Sequence, residues 1–315
     1  MDAVDRADLL PPPAAGATGW PWTGDARQET QALTGARSWP KISIITPSLN
    51  QGRFLEQTIR SVLLQGYPCL EYIIIDGGSS DDSLEIIKKY RTWLSWWQSE
   101  PDGGQTEALN KGLSRATGDW VAWINSDDFY LPGALFTLVS QIGRHPDCHW
   151  FIGETLQVDA AGGAERVLHP RSNSDAPWHD FVAVRQSGTD IPQPSTFWSR
   201  QALEQTGLLD ESFRYAMDSD YWARLAYGGF RPVCVAEQLA AFRVHPASKT
   251  SEGRIPFWRE EIRIVDKWLP GAGPAESRAL LDCRTFLKRG ILRMRLRSMI
   301  SFWQNRLLGR GGAEM

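Results

Sequence analysis

Three short apolar runs, each followed by a polar turn, constrain the fold of this chain most strongly. They are residues 41–46 (KISIIT), 71–75 (EYIII) and 120–125 (WVAWIN), and apolar residues recur at helical spacing between them. Such runs, rich in β-branched and aromatic residues, are typical of strands buried on both faces of a sheet. The alternation of strands and helices predicts an α/β fold with a doubly wound, mainly parallel sheet flanked by helices.

Polar segments follow all three predicted strands at their carboxyl ends. They are residues 47–50 (PSLN), 76–79 (DGGS) and 125–128 (NSDD). Ligands of doubly wound sheets bind beyond the carboxyl ends of the strands. We therefore expect the three segments to face one crevice.

The acidic pair Asp127 and Asp128 has two interpretations. Adjacent carboxylates repel each other unless a cation or strong donors offset their charge, and oxygen ligands suit Mg²⁺ or Mn²⁺. An acidic helix N-cap before Pro132 explains the pair equally well. Asp76 is similarly open, because it can stabilise a turn or accept hydrogen bonds from a ribose hydroxyl or a ring N–H. Its DGGS context is not a dinucleotide-binding fingerprint.

Composition narrows the class of protein. The net charge of −3 over 315 residues gives no reason to expect a nucleic-acid partner, and four scattered cysteines indicate a reducing cytoplasm. No signal peptide is visible, and no apolar run reaches the length of about 20 residues that a membrane span needs. Residues 1–40, rich in Pro, Ala, Gly and Thr, are expected to form a mostly disordered tail whose tryptophans could contact the domain.

The resemblance to a known family comes from three blocks in residues 44–135. They read TPSLNQGRFLEQTIRSVLLQGYP, EYIIIDGGSSDDS and SEPDGGQTEALNKGLSRATGDWVAWINSDDFYLPGAL. In order, spacing and content this stretch resembles the bacterial family 2 glycosyltransferases, which have the GT-A fold. A weaker resemblance continues through QPS at 193–195, MDSDYW at 217–222 and FRVH at 242–245. The resemblance implies a GT-A domain over 41–250, with a nucleotide-sugar half (41–130) and an acceptor half (131–250).

The resemblance also implies a role for each matching position. The donor nucleotide sugar would be bound by Pro47, Ser48, Asn50, Asp76, Gln105, Asn110, Lys111 and Asp127, with Asp102 in the segment that flanks the donor. A divalent cation, Mn²⁺ or Mg²⁺, would be bound by Asn125, Asp127, Asp128 and His245. Asp218 would be the general base, and the enzyme would be a glycosyltransferase of the hexosyltransferase type that inverts the anomeric carbon.

Two positions depart from the family pattern. Asn125 stands where the first Asp of the D-x-D motif is usual, and Met217 stands where a Glu usually precedes the base. Asp220 competes with Asp218 for the role of base, and both could be ordinary polar residues at a helix start. A lone histidine such as His245 is also more often structural than a ligand. The alternatives are a catalytically inactive nucleotide-sugar-binding relative, or a sugar-phosphate nucleotidyltransferase.

The carboxyl-terminal part, 251–315, is expected to be a basic helical extension. Between 284 and 310 it has eight Lys or Arg and no Asp or Glu, interleaved with apolar residues. Such a helix can lie on an anionic membrane or pack on the catalytic domain with its basic side in water. We expect a cytoplasmic enzyme at the inner face of the membrane, with a saccharide or lipid-linked saccharide acceptor. Residues 171–190 form either a mobile loop near the acceptor or an inert excursion.

Overall fold

The computed structural model describes residues 10–13, 16–23, 39–170 and 191–307. The 171–190 loop, most of the predicted tail and the last eight residues lie outside these ranges. The described residues form two compact units, one up to residue 246 and one from residue 247 onward.

The first unit is an α/β domain. Its strands are β1 (Ile42–Ser48), β2 (Leu70–Asp76), β3 (Trp96–Ser99), β4 (Trp120–Trp123), β5 (Phe129–Tyr130), β6 (Trp150–Val158), β7 (Ala164–Leu168), β8 (Thr196–Ser199) and β9 (Val233–Arg243). Its helices are α1 (Gly52–Leu63), α2 (Ser83–Tyr90), α3 (Gln105–Arg115), α4 (Ala134–Arg144), α5 (Arg200–Thr206) and α6 (Met217–Tyr227).

Among the described residues the strands form one sheet in the order β3-β2-β1-β4-β8-β6-β9-β5, with β7 paired to β6. The first four strands in this order are parallel, as are β6 and β9, whereas β8 runs antiparallel to β4 and β6. In register, Ser48 lies opposite Asp76, and Ile45 opposite Trp123. The α/β fold expected from the sequence is confirmed, and its three polar segments lie at one edge of the sheet.

A cluster of large aromatic side chains joins the two halves of the sheet to α6. Trp123 of β4 and Trp222 of α6 stack with ring centroids 5.5 Å apart, and Trp198 of β8 meets both rings edge-on. All three side chains are fully buried. Each such ring buries about 150–250 Å². This packing fixes α6, which begins at Met217, against the strand that leads to Asn125.

The described residues before 41 contact the domain at several points. The Arg60 guanidinium of α1 donates to the carbonyls of Pro11 and Pro21 at 2.7 and 3.1 Å. The Trp20 indole donates to the Tyr130 carbonyl of β5 at 2.7 Å, and Trp39 meets Tyr67 edge-on. The prediction of disorder for the rest of 1–40 falls on residues outside the described part.

The second unit contains two helices, α7 (Arg254–Trp268) and α8 (Pro274–Leu307). They pack through Trp258 and Phe286, whose ring centroids are 6.3 Å apart, and an ion pair joins Asp266 to Arg284 at 2.7 Å. Across the described part of the chain, every helix is too short or too polar to cross a membrane.

Candidate active site

The carboxyl end of β1 provides an unpaired buried hydroxyl. Ser48 is 5% exposed, and its Oγ has no hydrogen-bond partner within the described residues. Pro47, just before it, is buried in the strand. Asn50 has a φ of 52°, a conformation that Asn tolerates better than most residues, and its Oδ1 accepts from Ser80 N at 2.8 Å. An unpaired hydroxyl at this depth is suited to a polar ligand group.

The Asp76 carboxylate is used inside its own loop. It is fully buried and accepts hydrogen bonds from the backbone of Gly78 and Ser79 and from the hydroxyls of Ser79 and Ser99, at 2.5 to 3.2 Å. Gly78 has a φ of 82°, and a Cβ there would lie 3.0 Å from Pro101 N. Asp76 therefore holds the DGGS turn closed, which is the turn role that the sequence left open.

Three candidates on or beside α3 have different surroundings. Gln105 donates to Asn125 Oδ1 at 2.7 Å, which brings it to the NSDD segment. Asn110 is buried and exchanges hydrogen bonds with the backbone N and O of Leu209 at 2.9 and 3.0 Å, so its amide anchors that loop. Lys111 pairs with Glu107 at 2.7 Å on the helix surface. Gln105 alone of the three contacts another predicted site residue through a hydrogen bond in the described structure.

Asp102, in the turn that precedes α3, lies against the DGGS loop. Its Oδ1 accepts from Gly104 N at 2.8 Å, and its Oδ2 lies 3.0 Å from where a Cβ of Gly77 would be. Burial raises the pKa of the Asp102 carboxyl, and the neighbouring charges of Glu107 and Asp76 add to the rise. The absence of a side chain at Gly77 lets this carboxylate reach the end of β2.

The Asp128 carboxylate is buried and bound on both oxygens. Oδ1 accepts from Arg243 N at 2.8 Å, and Oδ2 accepts from Asn125 Nδ2 at 3.2 Å. Burial, and then the negative charge of Asp127, raise the pKa of Asp128 well above its usual range. The Asn125 oxygen is likewise occupied, by Gln105. Asn125 Oδ1 and both Asp128 oxygens therefore each accept a hydrogen bond within the site.

Asp127 and His245 form the pair best placed to bind a metal. Asp127 Oδ2 lies 3.1 Å from His245 Nε2, and the His245 ring packs on Phe54 with centroids 4.8 Å apart. The Asp127 side chain is 18% exposed, whereas that of His245 is 4% exposed. The carboxylate is therefore partly accessible to solvent, whereas the imidazole is buried against Phe54.

Two residues that the sequence analysis did not single out hold this loop in place. The Arg243 guanidinium donates to the backbone carbonyl of Asp127 at 2.9 Å and to Gln57 Oε1 at 2.7 Å. The Thr58 hydroxyl of α1 lies 2.9 Å from Ser126 O and 2.6 Å from Asp128 O. The position of Arg243 within FRVH, two residues before His245, was the signal that could have identified it.

The candidate base Asp218 is the second residue of α6. Its Oδ1 accepts from Ser219 N at 2.7 Å and from Ser219 Oγ at 3.2 Å, and its side chain is partly exposed. Asp220 is fully buried and paired with Arg224 Nε at 2.9 Å. Its salt bridge gives Asp220 a structural role, so Asp218 is the better candidate for proton transfer.

A divalent cation fits the donor atoms at Asp127 and His245 only in part. In the described residues no three His, Cys, Asp or Glu side chains are grouped to bind a metal by themselves. Mg²⁺ and similar ions, however, usually keep several waters and use one or two protein ligands plus substrate phosphates. Asp127 and His245 meet that smaller requirement, because one Asp127 oxygen has no hydrogen bond from any residue that the structure describes.

Comparison with known proteins agrees with this architecture. The family described as Glycosyl transferase family 2 matches residues 43–177. An uncharacterized glycosyltransferase of Mycobacterium tuberculosis is 33% identical over 193 residues, which cover 60% of this chain and 70% of the relative. The Campylobacter jejuni GalNAc(5)-diNAcBac-PP-undecaprenol beta-1,3-glucosyltransferase is 33% identical over 197 residues, covering 59% of this chain and 60% of that protein.

Solved structures show the same fold. The mannosyltransferase PcManGT from Pyrobaculum calidifontis, in complex with GDP-Man and Mn²⁺, superposes with a TM-score of 0.60 at 17% identity, over 88% of this chain and 77% of that one. The polar segments at the carboxyl ends of β1, β2 and β4 and the sequence relatives support the same assignment. This chain belongs to the family 2 glycosyltransferases, enzymes that transfer sugars and have the GT-A fold.

Proposed function

We propose that this enzyme moves a sugar from a nucleotide-diphosphate donor to an acceptor hydroxyl with inversion at the anomeric carbon. The observation that supports it most is the Asp127–His245 pair, 3.1 Å apart at the carboxyl end of the sheet. Its carboxylate is accessible, and its imidazole is fixed by Phe54. The proposal places the donor diphosphate beside this pair and the nucleoside toward the ends of β1 and β2.

In this proposal the site residues have separate roles. The unpaired Ser48 hydroxyl hydrogen-bonds the nucleoside, while Asp76 keeps the DGGS loop in the shape that receives it. Asp127 and His245 would hold a divalent cation, Mn²⁺ or Mg²⁺, which when bound offsets the charge on the departing diphosphate. Asp218, at the start of α6, accepts the proton of the acceptor hydroxyl. One displacement from the side opposite the leaving group inverts the configuration.

The acceptor that we propose is a lipid-linked saccharide, in the synthesis of cell-surface polysaccharide or glycolipid. The support comes from the Campylobacter jejuni relative, which is named as a glucosyltransferase of an undecaprenol-diphosphate-linked saccharide.

A contact with the inner face of the cytoplasmic membrane would bring the enzyme to such an acceptor. Leu281, Leu292 and Leu296 of α8 are 42%, 59% and 47% exposed. Their spacings are close to three and four helical turns, so they share one face, opposite the buried face formed by Leu280, Cys283 and Leu287. The exposed basic residues beside them are Lys288, Arg289, Arg293 and Arg295. An apolar stripe flanked by cations suits an anionic lipid surface.

Vesicle flotation tests the membrane contact. The full chain should float with vesicles that contain about one third phosphatidylglycerol and much less with pure phosphatidylcholine, since each basic residue near an anionic surface adds about 1 kcal/mol. The double variant Leu292→Ser/Leu296→Ser should float less, whereas Leu208→Ser, at an equally exposed leucine of the first unit, should float like wild type. Equal flotation of all three proteins would refute this contact.

Release of nucleoside diphosphate from a panel of nucleotide sugars, with Mn²⁺ and with a chelator, tests the transfer reaction. We expect metal-dependent release with one donor, lost in Asp127→Asn. Donor binding with no turnover on any lipid-linked or free saccharide would indicate an inactive relative. Pyrophosphate release from a nucleoside triphosphate and a sugar phosphate would indicate a nucleotidyltransferase instead.

A further inference from the structure

Three side-chain amides, one of them that of Asn125 in the NSDD segment, form a hydrogen-bonded chain. Gln193 Nε2 donates to the Trp123 carbonyl at 2.8 Å, and Asn125 Nδ2 donates to Gln193 Oε1 at 3.0 Å. Gln105 Nε2 then donates to Asn125 Oδ1 at 2.7 Å. We refer to Gln105, Asn125 and Gln193 as the amide relay. It links α3, the end of β4 and the turn before β8.

The direction of the relay is fixed at one end. A backbone carbonyl can only accept, so Gln193 must turn its NH₂ group toward Trp123 and its oxygen toward Asn125. Asn125 must then turn its own NH₂ group toward Gln193, and the same group donates to Asp128 Oδ2 at 3.2 Å. The position thus requires one group that both donates and accepts, which an amide provides and an ionised carboxylate does not.

Asp128 connects the relay to the Asp127–His245 pair. Its Oδ1 accepts from Arg243 N, two residues before His245, and it directly follows Asp127. A shift of Asp128 would therefore move both members of the pair. Residues behind metal ligands commonly change metal affinity about 10–100-fold when they are substituted.

We propose that Asn125 is a positioning residue which this chain requires, and that Asp128 is the brace through which it acts rather than a ligand. Asn125→Asp, which restores the residue usual in the D-x-D motif, then weakens cation binding instead of strengthening it. The two hydrogen bonds that Asn125 Nδ2 donates disappear, and the carboxylate oxygen in its place faces both Gln193 Oε1 and Asp128 Oδ2. This inference rests on the proposed role of Asp127 and His245.

Titration with Mn²⁺ in the presence of UDP or GDP, followed by the electron paramagnetic resonance signal of free Mn²⁺, tests it. We expect Asn125→Asp to bind Mn²⁺ about 10–100-fold more weakly than wild type. Asn125→Asp/Asp128→Asn should recover part of the loss, because Asn at 128 can accept from Arg243 N and donate to Asp at 125. Gln201→Glu adds the same charge on exposed α5 and should bind like wild type.

The outcomes separate this inference from the function it rests on. Mn²⁺ binding by Asn125→Asp as tight as wild type, or a double variant no better than Asn125→Asp, would overturn the inference. Wild type that fails to bind, or Asp127→Asn that binds normally, would count against the proposed metal site instead. In that case thermal midpoints still test the role of the amide relay. Asn125→Asp should have a lower midpoint than wild type, and the double variant should regain part of the difference. Equal midpoints would overturn the inference.

Discussion

Arg243→Met should destabilise the catalytic unit and loosen the loop that holds Asp127. Arg243 is 2% exposed, and its guanidinium donates to Asp127 O, Gln57 Oε1 and the carbonyls of Asp159 and Ala160, at 2.7 to 3.3 Å. The last two acceptors lie in the turn between β6 and β7, where water can replace the arginine.

Losing the other two hydrogen bonds costs about 1.5 kcal/mol each, so we expect a loss of about 3 kcal/mol in the free energy of unfolding. For a domain of this size, each kcal/mol of lost stability lowers the thermal midpoint by about 2–4 °C. The expected loss therefore lowers the midpoint by about 6–12 °C. Circular dichroism measures the midpoint, and the Mn²⁺ titration with UDP or GDP at 20 °C measures the metal affinity of the folded protein.

Arg200→Met is the matched control. Arg200 also donates from its guanidinium to two backbone carbonyls, of Gly118 and Ala116, at 2.8 and 2.7 Å, but it does so before the start of β4, at the other end of that strand from NSDD. Arg200→Met should have a lower thermal midpoint and unchanged Mn²⁺ affinity. Arg243→Met should have both a lower midpoint and a lower Mn²⁺ affinity. A midpoint for Arg243→Met within 1 °C of wild type, or unchanged affinity, would refute this reasoning.

Three further predictions concern separate parts of the fold. Gly112→Ala should destabilise the protein, because the new Cβ would lie 2.5 Å from Ile45 Cγ2. In the control Gly143→Ala the new Cβ has nothing within 4 Å among the described residues, so this variant should stabilise the helix by up to about 1 kcal/mol. Urea denaturation measures both changes. Burial raises the pKa of Glu71, but hydrogen bonds from neighbouring groups outweigh it and lower the pKa from 4.5 to about 2. Ionised Glu71 therefore stabilises the fold above about pH 4.5, and the deficit of Glu71→Gln at pH 7 should close as the pH falls toward 2; a constant deficit would contradict this. Asp218→Asn should abolish sugar transfer but bind donor normally, because an amide cannot accept the proton, and retained turnover would exclude it as the base.

Local patterns were sufficient for the nucleotide half of the fold. The apolar runs predicted β1, β2 and β4 to within about two residues at their ends. The helical spacing of apolar residues between the first two runs corresponds to α1, which occupies Gly52–Leu63. These elements are encoded by residues close in sequence, so periodicity and turn residues identify them.

The site depended on partners distant in sequence, which local patterns do not reveal. The sequence predicts Asn125 as a metal ligand, and it does not reveal that Gln193, 68 residues later, accepts from its amide. It also predicts Asp128 as a ligand, and it does not reveal that Arg243, 115 residues later, donates its backbone N–H to Oδ1. Asp76 could be a ligand contact or a turn residue by sequence, and the hydrogen bond from the Ser99 hydroxyl of β3 supports the turn role.

We propose that Asp127 and His245 together bind the cation that accompanies the donor diphosphate. Anomalous diffraction at the manganese edge, from crystals grown with Mn²⁺ and the nucleoside diphosphate that binds, would locate this cation. We predict one strong peak within coordination distance of an Asp127 carboxylate oxygen and His245 Nε2, with Asn125 and Asp128 outside the coordination shell. A peak coordinated by Asp128 or Asn125, or none near Asp127 when the nucleotide is bound, would contradict the account.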